Sequence, residues 1–304
     1  MRPDVRGFRQ HAARVERGAI RNINALEIKG LTTRYTDFAL EGLDLTLPMG
    51  CVLGLVGANG AGKSTTIRLI MDAMERDGGT VEVLGVDNQS QEFQKVKEEV
   101  GVVLDETCVP EFITARQLGK IMADTYRNWE QDTYERWLDK FQLPGNKKFK
   151  EYSRGMTMKL GIAAALSHRA RLLLLDEATS GLDPMVREEL LEVFADFAAQ
   201  DGHAVLISSH IVSDLEKICD YVAFLEKGRL VLCEEKDVLL DRYGILKCGR
   251  EDLKRVDPAA LHGVRLGQYG AEALVERDRA PRDMVVDRAT LEDIILHLAK
   301  EEEQ

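Results

Sequence analysis

A glycine-rich stretch followed by a lysine and two hydroxyl residues carries the clearest chemical signal in this sequence. It runs Gly57-Ala58-Asn59-Gly60-Ala61-Gly62-Lys63-Ser64-Thr65 and matches G-x-x-x-x-G-K-[ST], a pattern in which backbone amides bind phosphate oxygens. Lys63 would reach the β- and γ-phosphates of a nucleotide, and the Ser64 hydroxyl would bind Mg²⁺. The candidate phosphate-binding residues are Asn59, Gly60, Gly62, Lys63, Ser64 and Thr65.

The segments on either side of this loop supply the context that such a loop requires. An apolar run from Val52 to Val56 precedes it and predicts a buried strand. After Thr65, apolar residues recur every three or four positions as far as Met74, which predicts a helix. The positive end of that helix would add to the attraction of phosphate. The sequence therefore predicts a nucleotide site, and a glycine-rich turn that binds nothing is the alternative.

An acidic pair follows a second apolar run. Leu172-Leu173-Leu174-Leu175 predicts a strand buried on both faces, and Asp176 and Glu177 come directly after it. A parallel sheet would bring these carboxylates beside Lys63. Asp176 could then hold Mg²⁺ through water, and Glu177 could polarise the water that attacks a phosphate. Without the phosphate-binding loop, the same pair would indicate an ordinary acidic turn.

A histidine ends the next buried run. Residues 204–207 predict another strand, and His210 follows Ser208 and Ser209 at its end. Open α/β sheets bind ligands at the carboxyl ends of their strands, so His210 is predicted to contact the γ-phosphate or to orient Glu177. A purely structural histidine is the alternative.

Two turns that precede helices complete the candidate residues. Tyr152-Ser153-Arg154-Gly155-Met156 precedes a predicted helix over 159–166, and a serine and a glycine in this position can bind an anion. Ser180-Gly181-Leu182-Asp183-Pro184 precedes a predicted helix over 186–199. Taken singly, each turn would indicate no more than a helix start.

Strands and helices alternate along the middle of the chain, which predicts an α/β fold with a doubly wound, mostly parallel sheet. Alternating apolar and polar residues over 25–31 and 38–47 predict two half-exposed strands, and Lys227-Gly228 predicts a hairpin. Residues 107 to about 150 have helical periodicity, with Leu118 and Met122 on one face. The main domain is placed at 25–234, and a small α/β appendage at 235–304.

Composition limits the classes of function. The chain has 304 residues, of which 44% are hydrophobic and 31% charged, as in ordinary globular proteins. Its net charge of −11 argues against nucleic acid as the main partner. Five cysteines without paired spacing indicate neither a zinc site nor disulfides. No apolar run of about eighteen residues is present, so another chain would have to supply any membrane span.

The first residues differ from the rest in charge. Six arginines and two acidic residues lie within residues 1–21, and residues 1–24 are therefore predicted to be an Arg-rich, disordered leader. A transit peptide or an arm that binds an anionic surface is the alternative.

The order of these elements resembles the nucleotide-binding domain of an ABC ATPase, a P-loop NTPase, over about residues 26–240. The resemblance implies that Tyr35 stacks on adenine, with a surface tyrosine as the alternative. It implies that Ser153 and Gly155 reach the γ-phosphate held by a second subunit, and that Asp183 communicates between the two sites. It also implies an antiparallel β subdomain and a helical insertion over about 107–168. The implied ligands are ATP and Mg²⁺, and the implied activity is ATP hydrolysis.

Three positions depart from the pattern of this family. The family motif Leu-Ser-Gly-Gly-Gln is Tyr152-Ser153-Arg154-Gly155-Met156 here, so an arginine replaces the first glycine. Where most members place a glutamine that touches Mg²⁺, this chain has Val103-Leu104-Asp105-Glu106, and Asp105 is taken as the metal-binding residue. Ala178 replaces the usual proline after Asp-Glu.

Several segments are similar to bacterial ABC-2-type ATPase subunits, among them Ser-Arg-Gly-Met-Thr-Met-Lys-Leu and Ser-Asp-Leu-Glu-Lys-Ile-Cys-Asp-Tyr-Val. That group includes antibiotic-responsive efflux systems and exporters of amphipathic peptides such as phenol-soluble modulins. The resemblance implies a separate polytopic membrane subunit, a second identical or paralogous ATPase subunit, and a peripheral position on the cytoplasmic face of the cell membrane. The docking groove would include Phe112, Leu118, Ile121, Met122 and Tyr126.

Two other functions remain compatible with the sequence. One is a soluble ABC ATPase that acts on chromosomes, ribosomes or cofactor assembly. About 110 residues separate Lys63 from Asp176 without sustained heptads, which argues against the chromosome type. The other is an ATP-dependent sensor that does not transport.

Overall fold

The computed structural model describes residues 24–35, 38–105, 109–267 and 270–301. The leader predicted over residues 1–24 lies outside the described residues except for Asn24, and so do residues 107 and 108 at the start of the predicted insertion. None of the helices in the described ranges is long and apolar enough to cross a membrane.

The described residues form fourteen strands and nine α-helices. The strands are β1 (Asn24–Tyr35), β2 (Phe38–Pro48), β3 (Val52–Val56), β4 (Gly78–Val83), β5 (Val86–Asp87), β6 (Val100–Val103), β7 (Leu172–Asp176), β8 (Ala204–Ser209), β9 (Tyr221–Glu226), β10 (Arg229–Glu235), β11 (Tyr243–Cys248), β12 (Leu261–Leu266), β13 (Ala271–Glu276) and β14 (Val286–Arg288). The helices are α1 (Lys63–Ile70), α2 (Phe93–Val96), α3 (Ala115–Thr125), α4 (Gln131–Lys140), α5 (Arg154–Ala165), α6 (Pro184–Ala198), α7 (Val212–Ile218), α8 (Lys236–Arg242) and α9 (Leu291–Glu301).

A six-stranded sheet forms the centre of the molecule, in the order β10-β9-β3-β8-β7-β6. All neighbouring pairs are parallel except β10 and β9, which form the hairpin predicted around Lys227-Gly228. Strands β3 and β7 are buried along their whole length, because each has a strand on either side and packed elements on both faces. The doubly wound, mostly parallel sheet predicted from the sequence is confirmed.

The two faces of this sheet pack against different layers. Successive side chains of β7 point to opposite faces of the sheet. Leu172 and Leu174 belong to one hydrophobic core, and Leu173 and Leu175 belong to the other. The first core also contains α1 and an antiparallel sheet of order β2-β1-β4-β5. The second contains residues of α5, α6 and α7. The carboxyl ends of β3, β6, β7 and β8 therefore meet at one edge, as ligand binding at such a sheet requires.

The C-terminal appendage is a four-stranded antiparallel sheet, of order β12-β13-β11-β14, with α9 packed against it. The side of the appendage that contains α9 shares a core with the main domain, since Leu215 of α7 belongs to the same cluster as Leu291 and Ile294 of α9. Leu246 and Val275 belong to a separate small cluster. A hydrogen bond reinforces the contact between α7 and α9: the backbone N–H of Leu291 donates to Glu216 Oε2 at 3.1 Å. The appendage is thus built directly onto the helix that follows His210.

The segment around Arg154 is where the sequence-based prediction of secondary structure is wrong. The helix predicted to begin at residue 159 begins at Arg154, so the Ser153-Arg154-Gly155 turn is its first turn. Ser153 is the N-cap, and its hydroxyl accepts a hydrogen bond from the Met156 backbone N–H at 3.3 Å. The early start places Arg154 and Gly155 at a helix N-terminus.

Candidate functional site

The phosphate-binding loop connects β3 to α1 and is shaped by its glycines. Gly60 and Gly62 have φ angles of +82° and +110°, which residues with a side chain rarely adopt. Gly62 is the N-cap of α1, and the first turn of this helix consists of Lys63, Ser64 and Thr65. Asn59 and Gly60 are exposed, and Ser64 and Thr65 are half-buried. The free amides and the positive end of α1 make this loop suitable for binding a triphosphate.

Lys63 extends back over the loop rather than into solvent. Its Nζ donates hydrogen bonds to the backbone oxygens of Gly57 at 2.7 Å and Ala58 at 3.2 Å. The same Nζ lies 3.0 Å from Glu177 Oε1, and the exposed fractions of these two side chains are 5% and 11%. Because so little solvent reaches the pair, its electrostatic interaction is weakly screened.

Glu177 follows β7 in a left-handed backbone conformation, with φ of +51°. This conformation is unfavourable for a residue with a side chain, and such strain is common at functional sites. The Glu177 N–H is held by Ser208, since it lies 3.1 Å from both the backbone oxygen and Oγ of that residue. Its carboxylate is buried with one oxygen toward Lys63 and the other toward His210.

Ser208 joins the two acidic residues at the strand ends. Its hydroxyl donates to Asp176 Oδ1 at 2.6 Å and accepts from the Glu177 backbone N–H. Strands β7 and β8 pair in parallel with Asp176 opposite Ser208, so the contact follows from the register of the sheet. The other oxygen of Asp176 and the Ser64 hydroxyl are the kind of donors that Mg²⁺ prefers.

His210 lies at the end of β8, with 44% of its side chain exposed. Its Nδ1 is 2.7 Å from Glu177 Oε2. An ionised carboxylate has no proton to donate, so Nδ1 is the protonated nitrogen in this pair. The structure thus brings together four residues that the sequence predicts to share one edge of the sheet: Lys63, Asp176, Glu177 and His210.

The remaining predicted residues lie on neighbouring elements. Asp183 is the N-cap of α6, where its Oδ1 accepts a hydrogen bond from the Val186 N–H at 3.1 Å. Gly155 in the first turn of α5 faces the start of α6, with Val186 3.7 Å from the position of a Cβ. Ser153, Gly155 and Asp183 therefore belong to one surface formed by two helix N-termini. Their predicted contact with a second subunit stays a prediction.

Tyr35 and Asp105 occupy the periphery of the site. Tyr35 ends β1 with 47% of its surface exposed and pairs across the strands with Phe38, so its predicted contact with adenine stays a prediction. Asp105, taken from the sequence as a metal ligand, accepts a hydrogen bond from Arg154 Nη2 at 2.6 Å. In the structure, the partner of the Asp105 carboxylate is therefore Arg154.

Two residues of the site escape prediction from the sequence. The sequence places Ser208 only as a neighbour of His210, although a polar residue in a buried apolar run is itself a signal. Phe38 is the other: its ring lies over the N-cap of α1, with Cζ 2.7 Å from the position of a Cβ on Gly62. Nothing in the local sequence around Phe38 indicates this contact between distant segments.

Gly62→Ala is expected to damage the phosphate-binding loop. An alanine would have to adopt the left-handed backbone conformation of Gly62, which costs about 1–2 kcal/mol. Its methyl group would also collide with the ring of Phe38. We expect ATP affinity to fall at least about tenfold, which corresponds to about 1.4 kcal/mol. Gly60→Ala is the matched control, because its φ is also positive but no atom lies within 4 Å. Equal ATP affinities of the two variants by calorimetry would contradict this account.

Ser208→Ala is expected to disturb both acidic residues at once. Asp176 would lose its buried donor, which costs about 1–3 kcal/mol. We expect kcat for ATP hydrolysis to fall several-fold, with a lower denaturation midpoint. Ser209→Ala on the same strand removes a hydroxyl that binds the Ile211 N–H instead. If that control lowers kcat as much as Ser208→Ala, the bridging role of Ser208 is wrong.

The strand–loop–helix that binds phosphate, the acidic end of β7 and the doubly wound sheet define a P-loop nucleotide-hydrolysing domain. The sequence profile described as ABC transporter matches residues 40–180. The lantibiotic transport ATP-binding protein SrtF of Streptococcus pyogenes is 32% identical over 216 residues, which are 70% of this chain and 91% of that protein. The bacitracin transport ATP-binding protein BcrA of Enterococcus faecalis is 31% identical over 68% of each chain.

A solved structure described as an ATP binding subunit of an ABC transporter superposes with a TM-score of 0.64 and 28% identity. The match covers 71% of this chain and 91% of that one. This chain belongs to the ABC transporter family of ATP-binding proteins, and its site is that of an ATPase. The resemblance inferred from the motifs is therefore confirmed.

Proposed function

We propose that this chain is the ATP-hydrolysing subunit of an exporter, and that it works with a second ATPase chain on a separate membrane subunit. The buried Glu177 between Lys63 and His210 is the observation that carries the hydrolytic part of this proposal. A carboxylate held in this way at the end of β7 can accept a proton from the water that attacks the γ-phosphate. His210 fixes the direction of that carboxylate through Nδ1, and its Nε2 would donate to the γ-phosphate when the imidazole carries a second proton.

Magnesium is part of the proposal, because Ser64 and Asp176 are suitable oxygen donors for it. When bound, the ion would neutralise charge that develops on the phosphate oxygens during hydrolysis. Lys63 would exchange its loop carbonyls for the β- and γ-phosphates. The Lys63–Glu177 contact would then loosen, which frees Glu177 to bind water.

A second ATPase chain, identical or paralogous, would complete the site. Ser153 is exposed at the N-terminus of α5, a helix of twelve residues whose first amides can bind an anion. We propose that Ser153 and Gly155 bind the γ-phosphate held by the partner, and that Asp183 lies between the two sites. Two nucleotides would then hold the chains together, and hydrolysis would release them.

The proposed docking site for the membrane subunit is an apolar cavity of about 270 Å³ between β6 and the helical insertion. Leu118, Met122 and Tyr126 line it on the insertion side, and Val102 and Leu104 on the sheet side. Nearby in the sequence, Phe112 and Ile121 are 71% and 47% exposed. A helix from another chain with apolar side chains would fit such a surface. The chain would then lie on the cytoplasmic face of the membrane.

The substrate class that we propose is an amphipathic or antimicrobial peptide. Two relatives carry names that refer to lantibiotic and bacitracin transport. The site that selects the substrate would be on the membrane subunit, so this part of the proposal is supported by the relatives alone.

Co-purification tests the assembly. Glu177→Gln would be expressed with the genes that flank it, and membranes would be solubilised in MgATP before affinity purification. We expect one polytopic membrane protein to co-purify in a fixed ratio and to be lost in Met122→Asp, because Met122 lines the cavity. Phe112→Asp and Ile121→Asp, at exposed apolar residues of the same segment, should also weaken this co-purification. Leu266→Asp is the matched control, because Leu266 is 64% exposed on the C-terminal appendage. An ATPase dimer without that membrane protein, although it is expressed, would favour a soluble ATPase.

Transport by the same complex in vesicles separates a pump from a sensor. We expect ATP-dependent movement of a labelled peptide with the wild-type chain and none with Glu177→Gln. Hydrolysis that responds to the peptide without moving it would support the sensor instead.

A further inference from the structure

Arg154 connects two loops at the edge of the sheet where the nucleotide site lies. It is the first residue of α5, and its Nη2 donates to Asp105 Oδ1 at 2.6 Å. Its Nε and Cζ also lie 3.2 and 3.3 Å from the position of a Cβ on Gly181. Asp105 follows β6 and Gly181 follows β7, so one guanidinium contacts the loops after two neighbouring parallel strands.

The position of Gly181 fits this arrangement. Its φ of +67° is suited to glycine, and a Cβ there would lie 3.2 Å from Arg154 Nε, so the guanidinium would have to shift slightly to make room. The loop that contains Gly181 runs from Glu177 to Asp183. A displacement of Arg154 would therefore move the backbone between the catalytic glutamate and the start of α6.

Asp105 adds a third carboxylate to an edge that already carries two. Val103 of β6 is opposite Leu175 of β7, and the acidic residues Asp105, Asp176 and Glu177 follow these two positions closely. A triphosphate is itself strongly negative, so an unpaired carboxylate at this edge would repel it. The Arg154 guanidinium supplies the compensating charge.

The two partners are also the two charged departures from the family pattern noted in the sequence. A charged residue replaces an uncharged one at each position, and the charges have opposite sign. In the structure, these two replacements are in direct contact. A paired replacement of this kind preserves the net charge of the site.

We propose that Asp105 is a positioning residue for Arg154 and does not ligate the metal. The Asp105–Arg154 ion pair fixes the first turn of α5 against the loops after β6 and β7. It thereby holds Ser153 and Gly155 in place within one chain before a second chain approaches. This inference rests on the proposed ATP-hydrolysing function.

A double-mutant cycle tests the ion pair in the full-length chain, with Asp105→Asn, Arg154→Gln and the two combined. The Asp105 and Arg154 side chains are 43% and 53% exposed, so solvent screens their interaction. We therefore expect Arg154→Gln to weaken MgATP binding about two- to fivefold, because the charge of Asp105 is then uncompensated. Adding Asp105→Asn should restore affinity to within about twofold of Asp105→Asn alone. The Mg²⁺ concentration for half-maximal hydrolysis should change less than about twofold in Asp105→Asn, since a lost metal ligand would raise it much more.

Two results would overturn the inference. One is a tenfold or larger rise in the Mg²⁺ requirement of Asp105→Asn, whether residue 154 is arginine or glutamine. The other is additivity of the two single effects on MgATP affinity. If the wild-type chain did not hydrolyse ATP at all, the proposed function would fail instead.

Hydrogen exchange without nucleotide tests the pair independently of ATP. The amides of residues 154–157 should exchange faster in either single variant than in the wild type. The double variant should exchange no faster than the single variants, because the same contact is lost in all three. Unchanged exchange in both single variants would show that the pair does not fix the first turn of α5.

Discussion

Glu177→Gln is expected to lower kcat for ATP hydrolysis by about 10²–10⁴-fold, the range typical for loss of a general base. The amide has nearly the same shape as the carboxylate and can still accept a hydrogen bond from His210 Nδ1. It cannot take a proton from water. Removal of one negative charge beside Lys63 should leave ATP affinity unchanged or increase it.

Steady-state hydrolysis and equilibrium binding of ATP to the same preparation would measure the two effects separately. Glu188→Gln is the control, because Glu188 is an exposed residue of α6 that pairs with Lys217. We expect that control to hydrolyse ATP within twofold of the wild type. Wild-type turnover by Glu177→Gln would show that another group activates the water.

Lys63→Ala is expected to weaken ATP binding about 100-fold. Hydrogen bonds to charged groups contribute about 1.5–3 kcal/mol each, and Lys63 is placed to make at least one with a phosphate. The variant also leaves the buried carboxylate of Glu177 without its cation, and breaking such a pair costs about 3–5 kcal/mol of folding free energy. Calorimetric titration with ATP and thermal denaturation would measure the two consequences.

A second variant separates lost binding from lost folding. Lys63→Ala/Glu177→Gln removes both charges of this pair, so thermal stability should recover while ATP affinity stays low. Lys217→Ala removes a lysine of similar length that is half-exposed on α7, and it should bind ATP normally. Unchanged ATP affinity in the folded double variant would refute the phosphate-binding role of Lys63.

The sequence predicts much of the site because its signals are local. Glycine spacing defines the phosphate-binding loop, and the apolar runs before Lys63 and Asp176 are long enough to predict strands. In a parallel sheet such strands have only one edge at which their carboxyl ends can meet. Lys63, Asp176, Glu177 and His210 could therefore be placed together before any contact was known.

The contacts that the sequence does not predict join residues far apart in the chain. Phe38 reaches Gly62, and Arg154 reaches Asp105, through the packing of separate layers. The start of α5 is missed for a local reason: glycine within a helix is unfavourable, so Gly155 argues against a helix that Ser153 in fact caps. In the appendage, the strands are short and separated by glycines. The order of these strands depends on which strands pair, and the pattern of apolar residues does not specify that.

The account rests on the claim that two copies of this site bind ATP between them and open when it is hydrolysed. The most direct test is the mass and nucleotide content of purified Glu177→Gln in MgATP, measured by light scattering and chromatography of the released nucleotide. We predict a dimer that retains one ATP per chain, which separates in MgADP and does not form in Lys63→Ala. A Glu177→Gln chain that binds ATP fully and stays a monomer would contradict the account, provided that no paralogous chain restores the dimer.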